Sequence, residues 1–302
     1  MKYIVDKINE LKKKKNAIIL AHCYQPVEID LVADYVGDSL ALSRIASKTD
    51  ADIIIFAGVY FMAQTAKLLS PDKKVILPQI EAGCRMSDML TFRQLKEFKD
   101  KHPNLTTVCY VNSTAEVKSE SDICCTSSNA VEIVKSIGVS KVLFVPDTYL
   151  GKWVEKQLGN IEVITYPGFC PTHLKIRPAD VEKARKLHPE ALILAHPECH
   201  MAVSSIADYV GSTAGIMKFV KDSKYNSFVI ATEQGVIDRL KRDFPNKNIY
   251  PIAENIVCPN MKMTSLEDIL VALQREHNEI FVEKDIAQKA VRCLDRMLEV
   301  SQ

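Results

Sequence analysis

Short apolar runs alternate with amphipathic stretches along the whole chain. Residues 17–22 (AIILAH), 106–110 (TTVCY) and 191–196 (ALILAH) are apolar runs of strand length. An amphipathic stretch with helical spacing precedes each of them: VDKINELKKKK, LTFRQLKEFKDKH and PADVEKARKLH. Short apolar runs that alternate with helices at this spacing predict parallel βαβ units.

A second strand-like run follows in each copy, and the copies share one register. The runs DIIIFAG, KVLFVP and SFVIAT each precede a helical stretch, and a third apolar run comes after it. When the ends of the first runs are aligned, the copies are offset by 88 and 86 residues. The chain is therefore three copies of one α/β module of about 87 residues. We expect three similar αβα sandwiches with parallel sheets, arranged around a pseudo-threefold axis.

A seven-residue segment recurs in the same register. Residues 33–39 read ADYVGDS, residues 207–213 read ADYVGST, and a fainter copy at 121–127 reads SDICCTS. All three keep an aspartate and a closing hydroxyl, which supports the threefold repeat. The predicted domains are 1–85, 86–171 and 172–260, with a helical extension at 261–302.

The composition narrows the class of protein. The 302 residues are 47% hydrophobic and 25% charged, as in globular proteins. The chain has 39 Lys and Arg residues and 38 Asp and Glu residues, so its net charge is close to zero and does not indicate a nucleic-acid partner. No apolar run is long enough to span a bilayer and no signal peptide is recognisable, so we expect a cytoplasmic protein without membrane contact. Nine cysteines in a reducing compartment argue against a disulfide framework.

Polar side chains follow the strand-like runs at equivalent positions of the three copies. Ligands of parallel α/β sheets bind beyond the carboxyl ends of the strands, so modules that face inward bring equivalent residues together. The first ring comprises His22, Tyr110 and His196, and a second, two residues further on, comprises Tyr24, Asn112 and Glu198. A ring of hydroxyls, expected beside helix N-termini that suit phosphate or carboxylate groups, comprises Ser39, Ser127 and Thr213.

Three cysteines occupy a further set of equivalent positions. Cys84, Cys170 and Cys258 stand 60 to 62 residues after the ends of the first runs. Three thiolates without a fourth protein ligand describe an open metal site, which suits either zinc or an iron–sulfur cluster with one unligated iron. Such an iron would act as a Lewis acid, as in dehydration chemistry. The other cysteines lack threefold partners and are interpreted as packing residues: Cys23, Cys109, Cys124, Cys125, Cys199 and Cys293.

Four stretches of the sequence resemble the quinolinate synthase family. They are LAHCYQPVEIDLVADYVGDSLALSR (20–44), CYVNSTAEVKSESDICCTSSNA (109–130), HPEC (196–199) and GSTAGI (211–216). With the three spaced cysteines, the similarity covers nearly the whole chain. It implies three αβα domains around a pseudo-threefold axis and a [4Fe–4S] cluster bound by Cys84, Cys170 and Cys258.

The resemblance also implies a reaction and its partners. Quinolinate synthases condense iminoaspartate with dihydroxyacetone phosphate, with loss of phosphate and water, to give quinolinate for de novo NAD biosynthesis. L-aspartate oxidase or aspartate dehydrogenase would supply the iminoaspartate. The catalytic positions fall on His22, Tyr24, Tyr110 and Glu198. The substrate-binding positions fall on His22, Ser39, Tyr110, Asn112, Ser127, His173, His196, Glu198 and Thr213.

The resemblance gives individual side chains expected roles. Glu198 and Tyr110 are the candidates for proton transfer. His22 and His196 would either neutralise a dicarboxylate or donate hydrogen bonds. Tyr24 matches a tyrosine of conformational importance in the family.

Two alternative functions stay open on the sequence. One is another [4Fe–4S] dehydratase, which would use the same Lewis-acid iron on a hydroxy acid. The other is a non-catalytic iron–sulfur sensor, which would have no use for a ring of polar side chains. Some relatives carry a C-x-x-C pair near the C-terminus, whereas Cys293 stands alone here, so a thiol–disulfide switch is not expected.

Overall fold

The computed structural model describes residues 1–301, and its first module contains a four-stranded sheet with helices on both faces. The predicted apolar runs form three of the four strands. The elements are α1 (Lys2–Lys14), β1 (Ala17–His22), β2 (Tyr35–Gly37), α2 (Ser39–Ala46), β3 (Ile53–Ala57), α3 (Tyr60–Leu69) and β4 (Lys74–Ile76). Two 3₁₀ helices, Val27–Leu31 and Ser87–Met89, lie in its loops.

The second module repeats this sequence of strands. Its elements are α4 (Phe92–Asp100), β5 (Thr106–Tyr110), α5 (Ala115–Ser119), β6 (Ile123–Cys125), α6 (Ala130–Ser136), β7 (Lys141–Val145), α7 (Thr148–Leu158) and β8 (Glu162–Thr165). A 3₁₀ helix at His173–Lys175 follows the last strand.

The third module is followed by two further helices. Its elements are α8 (Pro178–Leu187), β9 (Leu192–Ala195), α9 (Met201–Ser204), β10 (Tyr209–Val210), α10 (Thr213–Asp222), β11 (Ser227–Ala231), α11 (Gln234–Asp243), β12 (Asn248–Pro251) and a 3₁₀ helix, Asn260–Lys262. The predicted C-terminal extension contains α12 (Leu266–Arg275) and α13 (Lys284–Val300), and its last residue, Gln302, lies outside the described residues.

All three sheets have the same topology. The strand orders are β2-β1-β3-β4, β6-β5-β7-β8 and β10-β9-β11-β12, and every pair of neighbouring strands is parallel. The predicted α/β fold with three similar αβα domains is therefore confirmed. The residue boundaries of the predicted domains stay predictions, although one sheet lies inside each of them.

The central strands are buried on both faces, which explains their uninterrupted apolar sequences. Along β3, Ile53, Ile55 and Ala57 face an apolar cluster that includes residues of α1 and α12. Ile54 and Phe56 face the opposite cluster, to which α2 and α3 contribute. Because successive side chains of a strand point to opposite faces, such a strand needs apolar residues at every position.

The repeated seven-residue segment contains the one strand of each module that the hydrophobic pattern does not predict. It forms the short edge strand, β2, β6 or β10, next to the central strand. The segment's aspartate explains the repeat, because its carboxylate accepts a hydrogen bond of 2.7 to 2.8 Å from a backbone N–H of the central strand. The pairs are Asp34 with Ile19, Asp122 with Thr107, and Asp208 with Ile193.

The C-terminal helices cover the first two modules. Helix α12 packs against α1, and α13 packs against α5 and β6. Cys293 of α13 brings its sulfur to 3.0 Å from the sulfur of Cys124, and all six cysteines interpreted as packing residues are buried. No helix within residues 1–301 is long and apolar enough to cross a bilayer.

Candidate active site

One cavity of about 150 Å³ receives side chains from all three modules. It lies beyond the carboxyl ends of the strands, where parallel α/β sheets bind their ligands. Every residue that the sequence analysis places in the site lines this cavity: His22, Tyr24, Ser39, Cys84, Tyr110, Asn112, Ser127, Cys170, His173, His196, Glu198, Thr213 and Cys258. The structure thus brings together residues that are up to 236 positions apart in the chain.

Each of the three cysteines stands just before a 3₁₀ helix. Burial raises the pKa of the Cys84 thiol to about 12, and the backbone N–H groups of Ser87 and Met86 act in the opposite direction. Burial also raises the pKa of Cys170 and of Cys258, and backbone N–H groups of the turn that follows each cysteine lower it. A metal that replaced the thiol protons would therefore find N–H donors beside each thiolate.

Glu198 is the central charge of the cavity. Its Oε1 accepts a hydrogen bond from the Tyr110 hydroxyl at 2.6 Å, and its Oε2 lies 2.8 Å from His173 Nδ1. Burial acts to raise the pKa of Glu198, but the neighbouring His173 outweighs it, and the pKa lies well below its usual range. The other ring nitrogen of His173 lies 2.9 Å from the Thr232 hydroxyl, which fixes the ring. The cavity therefore holds an ionised carboxylate with a partner on each oxygen.

His22 and His196 are neutral at pH 7 and have the same environment in two modules. Burial lowers the pKa of each ring to about 3. In each ring Nδ1 accepts a hydrogen bond from the backbone N–H two residues further on, that of Tyr24 or Glu198. The ring proton consequently sits on Nε2. This geometry favours hydrogen-bond donation over charge neutralisation for both histidines.

Tyr24 reaches from the first module to the third. Its hydroxyl lies 3.0 Å from Thr213 Oγ1 and 3.1 Å from Thr232 Oγ1, and the His22 ring packs edge-on against it at 4.7 Å. Burial raises the pKa of Tyr24, and the Glu198 carboxylate raises it further, so the phenol stays protonated. Tyr24 is therefore a fixed hydrogen-bonding bridge between two modules.

The predicted hydroxyl ring lies beside helix N-termini, although its members are not the capping residues. Ser39 and Thr213 are the first residues of α2 and α10, and the caps are the preceding Asp38 and Ser212. Ser127 stands three positions before α6. Because the side chains of Asp38 and Ser212 cap α2 and α10, the hydroxyls of Ser39 and Thr213 are not used as caps.

The comparison with known proteins gives the family. A family model described as quinolinate synthetase A protein matches residues 6–299. The chain belongs to this family. A quinolinate synthase of Alkaliphilus metalliredigens is 50% identical over 297 residues, which is 98% of each chain. One of Thermodesulfovibrio yellowstonii is 49% identical over 294 residues, or 97% of each chain. Quinolinate synthase 2 of Methanosarcina acetivorans is 49% identical over 298 residues, 99% of this chain and 96% of that protein.

Membership of the quinolinate synthetase A family confirms the resemblance drawn from the sequence.

The cavity also contains charged residues that the sequence analysis missed. Asp38, Arg85, Lys175 and Glu233 line it, with the amide of Asn260. Arg85 follows a predicted cysteine directly, and Lys175 follows His173 by two positions, so closeness to those residues was the available signal. Glu233 shares its register with the carboxylate of Asp147 in the second module, but the first module has Val59 at that position, so the register is not filled in all three copies.

One group of potential metal ligands within residues 1–301 is compact enough to hold a single ion. The ligand atoms of Cys170, His173 and Glu198 all lie within 4.8 Å of one another. The set of Cys84, Cys170 and Cys258 is not such a group, although all three line the same cavity.

Proposed function

We propose that this chain is a quinolinate synthase that condenses iminoaspartate with dihydroxyacetone phosphate, releasing phosphate and two waters. Identity near 50% over whole chains with relatives named quinolinate synthase supports the activity. The observation that carries the proposal is the convergence of polar side chains from three modules on one cavity. Both proposed substrates are anions of small size, and neutral histidines, hydroxyls and helix N-termini suit such groups.

We further propose a [4Fe–4S] cluster held by Cys84, Cys170 and Cys258. All three cysteines line one cavity, and the N–H groups after each cysteine fit thiolate ligands. When bound, such a cluster supplies a Lewis acid at its iron without a protein ligand. The compact set of Cys170, His173 and Glu198 favours a second candidate, a single zinc ion with an open position.

The proton transfers are assigned to Glu198, and its two partners orient the carboxylate. The ionised Glu198 carboxylate is the group that we assign as general base for the enamine and dehydration steps of this condensation. Tyr110 keeps its proton, because burial and Glu198 both raise its pKa, so it acts as a hydrogen-bond donor. The His173 ring, held by Thr232, contacts the other carboxylate oxygen at 2.8 Å and orients it.

The binding roles fall to the two rings of histidines and hydroxyls. His22 and His196 present Nε2–H groups that would orient carboxylate or carbonyl oxygens. The hydroxyls of Ser39, Ser127 and Thr213 would hold the phosphate group until it leaves.

A sensor function is less well supported than catalysis. The Tyr110–Glu198–His173 network keeps a buried charge at considerable desolvation cost, which a protein that only holds a cluster does not need. A different dehydratase would share this chemistry and differ in its substrate. The supply of iminoaspartate by L-aspartate oxidase or aspartate dehydrogenase, and the cytoplasmic location, remain predictions from the sequence.

The test combines metal analysis with product formation. The protein is purified and reconstituted without oxygen, iron, sulfide and zinc are measured, and both substrates are added. We expect about four irons and four sulfides per chain and quinolinate detected by mass. Loaded protein that forms no quinolinate would refute the activity, and one zinc per active chain would refute the cluster.

A further inference from the structure

Three consecutive backbone carbonyls of the first module are bound by cations from other parts of the chain. Arg239 of α11 donates from Nη1 to the carbonyl of Cys23 at 2.8 Å and to that of Gln25 at 2.9 Å. Lys262 donates from Nζ to the carbonyl between them, that of Tyr24. Arg239 is 1% exposed, so its own contacts are made away from water.

Each cation has a carboxylate partner. Arg239 pairs with Asp30 through its other terminal nitrogen. Lys262 lies 3.0 Å from Oε1 and 3.1 Å from Oε2 of Glu233, whose side chain is fully buried. A buried pair of this kind is costly to assemble unless its remaining hydrogen bonds are satisfied.

Glu233 satisfies its remaining bonds on the backbone beside a predicted cluster ligand. Its Oε1 accepts a hydrogen bond from the backbone N–H of Cys258 at 3.2 Å, and its Oε2 accepts one from Gly235 at 2.6 Å. A side chain at Gly235 would meet the Glu233 carboxylate at 2.9 Å and Lys262 Nζ at 3.0 Å, so glycine leaves the room that this ion pair needs.

We infer that Glu233 and Lys262 are positioning residues that couple the placement of Cys258 to that of Tyr24. The chain of contacts runs from the Cys258 N–H through Glu233 and Lys262 to the Tyr24 carbonyl, while the Tyr24 hydroxyl is bound by the third module. Arg239 binds the carbonyls on either side, so the backbone at Tyr24 is tied to both cations. The inference rests on the proposed function, in which Cys258 is a cluster ligand, and Tyr24 lines the same cavity.

The coupling predicts that a change at one end is felt at the other. Glu233→Gln leaves an acceptor for the Cys258 N–H but removes the charge that holds Lys262. Glu233 itself has no hydrogen bond to Tyr24, so an effect of this substitution on Tyr24 would pass through Lys262. Lys262→Met keeps the aliphatic stem and removes the ammonium group. Lys262→Arg keeps both the charge and donors, and we expect it to restore what Lys262→Met loses.

The experiment uses two spectroscopic readouts besides activity. The full chain is labelled with 3-fluorotyrosine, and the Tyr24 resonance is assigned from its loss in Tyr24→Phe. The reduced, reconstituted protein is studied by electron paramagnetic resonance. Both Glu233→Gln and Lys262→Met should shift or broaden the Tyr24 fluorine signal, alter the cluster spectrum and lower kcat/KM about 10- to 100-fold, as changes around metal ligands do.

Lys99→Met is the matched control. Lys99 is 29% exposed against 24% for Lys262, and it likewise binds one backbone carbonyl and one carboxylate, both of Glu120, outside the cavity. We expect it to leave both spectra unchanged. An unchanged Tyr24 signal in Glu233→Gln, in a protein with wild-type cluster content, would overturn the coupling. A wild-type chain that binds no cluster would refute the proposed function instead, and the fluorine measurement would still test the contact network in cluster-free protein.

Discussion

The replacement of Glu198 by glutamine removes one charge from the centre of the cavity and little else. The amide has the size of the carboxyl group, and its oxygen can still accept the hydrogen bond that Tyr110 donates at 2.6 Å. Its NH₂ group can face His173 Nδ1, which lies 2.8 Å away, if the ring carries its proton on Nε2 toward Thr232. The architecture should therefore survive, while the base is lost.

The magnitude follows from what the carboxylate does in the cavity. General acid–base catalysis by a positioned side chain contributes about 10²- to 10⁴-fold, or roughly 3 to 5 kcal/mol of barrier. The pKa of Glu198 lies well below its usual range, so the carboxylate is ionised at every pH at which the enzyme is assayed. We expect Glu198→Gln to lower kcat by about 10²- to 10⁴-fold with iron and sulfide content unchanged.

The assay is anaerobic quinolinate formation in single turnover, with metal content measured on the same sample. Glu254→Gln is the matched control, because Glu254 is exposed and lies outside the cavity. Activity within about threefold of wild type in a fully loaded Glu198→Gln protein would remove Glu198 from the proton transfers. A loss of iron as well as activity would assign it to the cluster environment instead.

Three other predictions address the ligands, the histidines and the sheet edge. Cys170→Ala should abolish cluster assembly, as iron and sulfide analysis would show, and a fully loaded variant would refute the ligand assignment. Burial lowers the pKa of His22 and His196 to about 3 in the folded protein, so each ring binds a proton on unfolding below about pH 6.5. Lowering the pH from 7.5 to 5 should therefore reduce the free energy of unfolding by about 2 kcal/mol per histidine. Urea midpoints should show this, with a smaller pH dependence in His22→Gln, and an equal dependence in that variant would contradict it. Asp122→Ala should lower the free energy of unfolding by about 1 kcal/mol, because the Thr107 N–H loses its acceptor, and an unchanged urea midpoint would refute that role.

The fold could be predicted well where burial dictates the residue type. Strands buried on both faces need apolar side chains throughout, so β1, β3 and their equivalents stand out in the sequence. The edge strands β2, β6 and β10 are only two or three residues long and have no such signal. Their aspartates repeat because a carboxylate supplies the hydrogen bond that fixes the edge, and that role is visible only with the central strand in place.

The site could be predicted where the threefold repeat places equivalent residues at equivalent strand ends. The histidines, hydroxyls and cysteines share registers in this way and line the same cavity. Lys262 and Arg239 share no register, because each binds the first module at a contact that exists only once in the molecule. Contacts of that kind depend on how the modules pack, and a repeat in the sequence carries no information about them.

The central claim is that three cysteines, one from each module, hold a single iron–sulfur cluster. Its most direct test is an anomalous difference map, recorded at the iron absorption edge from crystals grown without oxygen. We predict one compact group of iron peaks in contact with the sulfurs of Cys84, Cys170 and Cys258. A single peak at the zinc edge between Cys170, His173 and Glu198, with no iron signal at the other two cysteines, would contradict the account.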